Sequence, residues 1–162
     1  GPVPGGGKEH AMNLLFVCTG NTCRSPMAET LARREFEQRG LNWRAESAGL
    51  MAEAGAPASR HAADEMARRG LSLDAHRARE VTAEAVARAG RVLAMTDTHR
   101  DLLRAAYPDA RDKILTLGEC ADTGETVPDP YGGCAAAYRR CADRLEALVR
   151  AAVEAMAEKE NI

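Results

Sequence analysis

Cys18, Arg24 and Ser25 stand in a Cys-x5-Arg-Ser spacing that can seize and attack a phosphoryl group. A thiolate is a strong nucleophile, and a guanidinium is a planar fork that grips two phosphoryl oxygens at once. Their neighbours say how they would be held. Leu14 to Val17 is a short apolar run of strand type, too brief for a helix. Thr19, Gly20 and Asn21 break that pattern, with Gly and Asn free to take unusual backbone angles. Ser25-Pro26 reads as a helix start, Ser as the cap and Pro at the first helical position. Cys18 then lies at a strand's C-terminal end, ahead of a tight loop and a helix N-terminus. Residues Thr19, Gly20, Asn21, Thr22, Cys23, Arg24 and Ser25 would cradle an anion with backbone N–H groups and the helix's positive end. The same field favours the thiolate of Cys18, and Ser25 can donate to its sulfur. Arg24 and the cradle offset the repulsion between thiolate and phosphate.

Thiolate attack at phosphorus also needs an acid to protonate the leaving group and then a base to activate water. Asp129, in Val127-Pro128-Asp129-Pro130-Tyr131-Gly132-Gly133, is the candidate. Two prolines stiffen its loop and two glycines allow close approach; Asp109, Asp112 and Asp122 lack that setting. Cys23 lies five residues from Cys18, and two roles stand open for it: packing, or a reversible redox disulfide with Cys18 that protects the nucleophile from over-oxidation. Cys134 and Cys141 in one helix would sit about 10.5 Å apart along its axis, too far for a disulfide. They and Cys120 read as structural. His61 and His99 show no partner spacing and read as surface residues. No His/Cys/Asp cluster has metal-ligand spacing, so no metal and no cofactor are expected.

Strands alternating with helices must position these groups. Apolar residues recur at helical spacing from Met27 to Phe36, and Gly40 ends that helix. Trp43 to Ser47 reads as a second strand, Leu50 to Ala58 as a loop, and Ser59 to Arg69 as a helix stopped at Gly70. Leu71 to Val81 is polar and irregular; Thr82 caps a short helix through Ala89. Val92 to Met95 is a third strand, and Thr96-Asp97 opens a helix that runs to about Ala106 and is halted by Pro108. Ile114 to Leu117 is a fourth strand, Glu119 to Gly133 the longest loop, and Ala135 to about Glu158 the last helix. The fold class is therefore α/β, a single doubly wound domain with a four-stranded parallel sheet flanked by about five helices. In such sheets the ligand site lies beyond the strands' carboxyl ends, where Cys18 falls.

The chain has 162 residues, enough for one domain with a substantial core. Aromatics are only 4%, so Leu, Val, Met and Ala must fill that core. A formal net charge of −2 argues against nucleic acid or an anionic membrane as partner. No apolar stretch approaches the roughly 20 residues needed to span a bilayer. Five cysteines without scaffold spacing point to a reducing cytoplasm. Residues 1–11 read as an expression remnant before a native Met12, with no signal peptide, leaving 12–162 as the domain. A monomer is expected.

The string Val17-Cys18-Thr19-Gly20-Asn21-Thr22-Cys23-Arg24-Ser25-Pro26-Met27-Ala28-Glu29 resembles the low-molecular-weight protein tyrosine phosphatase family. The resemblance runs from Met12 to about Met156. It implies a hydrolase working through a phosphocysteine intermediate on a phosphorylated protein, with Asp129-Pro130-Tyr131 supplying the general acid. It also implies that Asn21, Ser25, Ser47 and His76 form a hydrogen-bond network supporting the loop. Thr22 is informative, because phosphotyrosine-directed members typically carry a bulkier aliphatic residue there. With Thr22 and an Asp-Pro-aromatic-Gly-Gly loop, the chain is similar to the protein-arginine phosphatase branch. The segment Leu50-Met51-Ala52-Glu53 lacks the aromatic wall that many tyrosine-directed members have, which leaves Thr22, Met51 and Tyr131 as specificity positions. Phosphoarginine is the favoured substrate and phosphotyrosine the alternative. Arsenate reduction would need further redox cysteines, yet residues 71–119 have none. A phosphoresidue-binding module would have lost the nucleophile or the acid.

Overall fold

The computed structural model describes residues 11–160 of the chain. Most of the expected remnant at 1–11 lies outside the described residues. In chain order the elements are β1 (Met12–Cys18), α1 (Arg24–Arg39), β2 (Trp43–Gly49), α2 (Arg60–Arg68), α3 (Ala83–Arg88) and β3 (Arg91–Ala94). They continue with α4 (Asp97–Ala106), a 3-10 turn at Pro108–Lys113, β4 (Ile114–Thr116), α5 (Leu117–Cys120) and α6 (Ala135–Glu160).

Side chains alternate across a strand, and β1 is apolar on both faces, as a central parallel strand must be. Leu14, Phe16 and Cys18 join a core that includes Met27, Leu31 and Phe36 of α1 and Leu145, Leu148 and Val149 of α6. Leu15 and Val17 join the opposite core with Val86, Val92, Ala94, Leu103 and Ile114. The sheet is parallel throughout, in the order β2-β1-β3-β4. This is the expected doubly wound α/β domain. Its register brings Cys18 beside Gly49 at the end of β2 and Val17 beside Ala94 at the end of β3. Three carboxyl ends therefore converge on the loop that follows Cys18.

The structure corrects two local readings. The first is Ser25, which does not cap α1. That helix starts at Arg24, Cys23 occupies the cap position without a side-chain bond, and the Ser25 hydroxyl turns to the Cys18 sulfur instead. Second, Leu117 leaves the strand to open α5, because Thr116 and Glu119 form a reciprocal capping box that satisfies both backbone N–H groups. The helix expected to stop before Pro108 does end at Ala106, and Pro108 opens a 3-10 turn, where its missing N–H costs nothing. Ser59, Thr82 and Thr96 cap α2, α3 and α4 through their hydroxyls.

Candidate active site

Between β1 and α1 the chain turns its carbonyl groups outward. Cys18 and Thr19 accept from the N–H groups of Leu50 and Met51, Thr22 from Ser59, and Cys23 from Met27. With the carbonyls bonded away, the N–H groups form the face left for an anion. The N–H of Asn21 already points at the Cys18 sulfur, 3.3 Å away. Ser25 Oγ lies 2.9 Å from the same sulfur. Cys18 is buried, so these two donors stabilise negative charge on sulfur where water does not.

Asn21 holds the loop's shape. Its φ of 58° is left-handed, a region Asn tolerates better than most residues. Every side-chain polar atom is used: Nδ2 donates to Ser25 Oγ at 2.8 Å and Ser47 Oγ at 3.0 Å, and Oδ1 accepts the Arg79 N–H at 3.0 Å. His76 Nε2 reaches the Asn21 carbonyl at 2.7 Å. Ser47 donates onward to Glu29, which pairs with Arg33. Ser25 Oγ accepts from Asn21, and its own proton has two acceptors in reach, the Cys18 sulfur at 2.9 Å and the more distant Ala48 O at 3.5 Å. At the loop's back, a Cβ on Gly49 would meet Thr19 O at 2.5 Å and Asn21 N at 3.0 Å, so only glycine fits there.

Arg79 is a member of this network that the sequence reading missed. Its backbone holds Asn21 while its guanidinium donates to Ser47 O at 3.1 Å and Glu46 at 2.8 Å. Glu46 also receives Arg88 and Asn13. The Arg88 hydrogen bond foremost, with those of Asn13 and Arg79, outweighs burial and holds the Glu46 carboxyl down at about 2. This anchors the irregular segment carrying His76 and Arg79 to β2.

Arg24, also buried, reaches from the loop to the opposite wall. Its Nη1 donates to Val127 O at 2.9 Å, and Nη2 lies 3.7 Å from Asp129 Oδ2. Asp129 is half-exposed and accepts the Tyr131 N–H at 2.9 Å. Cys18, Thr19, Gly20, Thr22, Cys23, Arg24, Asp129 and Tyr131 line one cavity of about 240 Å³. Tyr131 is exposed on its rim; Met51 is equally exposed and does not line it. Asn21, Ser25, Ser47 and His76 lie outside the lining and act on it through the loop.

His99 is not a surface residue. It is buried, and its ring bridges Thr19 Oγ1 at 2.8 Å and Thr96 Oγ1 at 2.9 Å. The available signal was topological: Thr19 and Thr96 each follow one of two adjacent strands, and His99 lies one helical turn past Thr96. His61 packs against the Tyr138 ring, with centroids 5.1 Å apart. Cys23 is buried, with Ser59 Oγ at 3.3 Å and Tyr138 OH at 3.4 Å from its sulfur. Burial pushes the thiols of Cys120 and Cys141 up to about 11 and 12. Cys134 departs from the structural reading: it is exposed ahead of α6, and the N–H groups of Ala137 and Ala136 lower its thiol. Among the described residues no group of three or more His, Cys, Asp or Glu side chains could hold a metal ion.

The family model for low molecular weight phosphotyrosine protein phosphatase matches residues 13–161. The chain is 40% identical over 141 residues to the protein-arginine-phosphatase of Bacillus subtilis (strain 168), spanning 86% of this chain and 93% of that one. It is 37% identical over 119 residues to the low molecular weight protein-tyrosine-phosphatase Etp of Escherichia coli (strain K12), spanning 74% and 77%. A solved structure of a YwlE arginine phosphatase mutant with a phosphorylated active-site serine is similar with a TM-score of 0.86 at 38% identity, covering 91% of this chain and 96% of that one.

Proposed function

This chain belongs to the low molecular weight phosphotyrosine protein phosphatase family, and from that premise we propose that it favours phosphoarginine in proteins as substrate. It is a cysteine-dependent phosphoprotein phosphatase. In the proposed cycle the Cys18 thiolate attacks phosphorus in line, forming an S–P bond as the P–N bond to arginine breaks. Asp129 gives its proton to the departing nitrogen, so the already cationic phosphoguanidinium leaves as an intact guanidinium group. Arg24 and the loop N–H groups hold the equatorial oxygens, where charge accumulates. Asp129, now ionised, takes a proton from water; the water oxygen attacks phosphorus, and the S–P bond breaks to release phosphate and the thiolate. Ser25 and the Asn21 N–H stabilise sulfur as attacker and leaving group. The phosphorylated active-site serine of the similar structure supports a covalent intermediate.

The wall of the cavity is what supports phosphoarginine. Thr22 lines the cavity together with Cys18 and Asp129, and among the described residues Tyr131 is the only aromatic one in the lining. The Thr22 hydroxyl can accept from a guanidinium, whereas an aryl ring offers it no donor. The 40% identity to a protein-arginine-phosphatase supports the same reading. Phosphotyrosine is the second reading, favoured by Tyr131 on the rim and by the likeness to Etp. The proposal extends to a cytoplasmic monomer. One chain supplies the whole lining, and all five cysteines are unpaired. No helix among the described residues is long and apolar enough to cross a membrane.

Phosphate release from matched phosphoarginine and phosphotyrosine peptides tests this, with Cys18→Ser as the blank. A preference of about tenfold or more for phosphoarginine, lost in Thr22→Ile, is expected. Preference for phosphotyrosine would overturn the substrate while keeping the mechanism.

A further inference from the structure

Proton accounting around His99 gives Thr19 a defined task. Thr96 caps α4, so its Oγ1 accepts the His99 backbone N–H at 3.2 Å. That leaves the Thr96 hydroxyl proton, and the acceptor in reach is His99 Nδ1 at 2.9 Å. A neutral imidazole carries one N–H, so with Nδ1 accepting, the proton sits on Nε2 and is donated to Thr19 Oγ1 at 2.8 Å. The ring stays neutral, because burial first and the Arg24 charge second hold its pKa at about 4, against a smaller opposing pull from Asp129. Thr19 Oγ1 has thereby accepted a hydrogen bond and keeps its own proton to give. Thr19 is exposed, and it lines the cavity shared by Cys18, Arg24 and Asp129.

We propose that the Thr19 hydroxyl donates a hydrogen bond to the phosphoryl group held over Cys18, and that His99 is the positioning residue that aims it. This rests on the phosphatase reading of the cavity, and it adds a side-chain donor to the N–H groups of the loop. The phosphoryl oxygens are acceptors only and gain charge as the group transfers. A donor fixed in advance by a buried ring needs no reorganisation at that moment. The chain Thr96–His99–Thr19 also ties the end of β3 to the end of β1, so the donor is set by the sheet and not by the loop alone. Because the phosphoryl group is common to aryl and guanidinium substrates, the effect is independent of which one the enzyme prefers.

The test uses p-nitrophenyl phosphate and the full chain. Thr19→Val and His99→Leu should each lower kcat about tenfold with KM changed less, as loss of one hydrogen bond to a charged group does. The double variant should lose no more than either single, since both remove the same donor. Thr19→Ser, and His99→Gln with its amide N–H near the Nε2 position, should each recover to within about threefold of the parent. Imidazole nitrogen NMR should show the Nε2–H tautomer of His99 in the parent and in Thr19→Val, which also shows that the fold persists. Thr19→Val within twofold of the parent, multiplicative losses in the double variant, or an Nδ1–H tautomer would each overturn the proposal. Turnover that survives Cys18→Ser would overturn the reading of the cavity itself, and the proposal with it.

Discussion

The two walls of the cavity are built in opposite ways. On the nucleophile's side, from Cys18 to Ser25, buried side chains hold each other: Asn21 is bonded at its carbonyl, its amide oxygen and its amide nitrogen, and Cys18 has two donors on its sulfur. On the side of the proposed acid, from Val127 to Gly133, Asp129 and Tyr131 are exposed. That loop is tied through backbone bonds from Val127 to Met95 and from Gly133 to Pro130, and through Arg24. The difference suits the chemistry proposed for each side. An anion cradle works only if its donors point inward before the phosphoryl group arrives. An acid that later serves as a base must meet first a leaving group and then water, so it has to stay open to solvent. Arg24 is the one side chain that belongs to both walls.

If the walls differ in this way, activity and stability should separate on one side and fall together on the other. Asp129→Asn should lower kcat by roughly 10²–10⁴. Its melting temperature should stay at the parent value, because the group is half-exposed and its contact with Arg24 is long. Asn21→Gly keeps the left-handed turn but removes the side-chain bonds, so it isolates the network from the backbone strain. It should lower kcat by about a hundredfold and stability by about 1–3 kcal/mol, as buried partners left unpaired do. Turnover and thermal unfolding measured on the same samples decide the matter. A destabilised Asp129→Asn, or an Asn21→Gly that melts like the parent, would remove the contrast.

Acid titration sharpens it further through two groups that support the buried side, His99 and Glu46. His99 has a folded pKa of about 4 against 6.5 in the open chain. The folded state therefore binds fewer protons between those values, and stability falls as pH drops from 6.5 to 4, by on the order of 3 kcal/mol. Glu46 titrates lower, at about 2 against 4.5, so its contribution is full above pH 4.5 and lost as pH falls toward 2. Urea unfolding across this range should show His99→Gln flattening the upper window and Glu46→Gln the lower one.

The same contrast explains what could be read from the sequence. That Cys18, Arg24 and Asp129 meet in one cavity was legible because the proposed chemistry fixes residue type and spacing, and β1 was legible because a strand buried on both faces is an unbroken apolar run. The supports were harder. Arg79 holds Asn21 through its backbone N–H, which no side-chain pattern encodes. His99 meets Thr19 across 80 residues, and only the sheet order β1–β3 brings them together. Ser25 was misassigned as a cap because the local rule favours Ser there, while the sulfur of Cys18 outbids the helix for its hydroxyl. Where a functional site overrides a local preference, local reading fails.

Tyr131 is where the smallest effect is expected, and where the comparison is easiest to break. The residue is 77% exposed, so it adds little to the fold. Its contact with Asp129 is made by the backbone N–H, which any residue but proline supplies. Tyr131→Ala should therefore leave kcat within about twofold, leave the melting temperature unchanged, and raise KM no more than a few-fold, the worth of one solvent-facing aromatic contact. Steady-state kinetics on the preferred phosphopeptide measures this directly. A tenfold fall in kcat would mean that the ring, and not the backbone, aims the acid. The acid loop would then be as dependent on its side chains as the cradle opposite it.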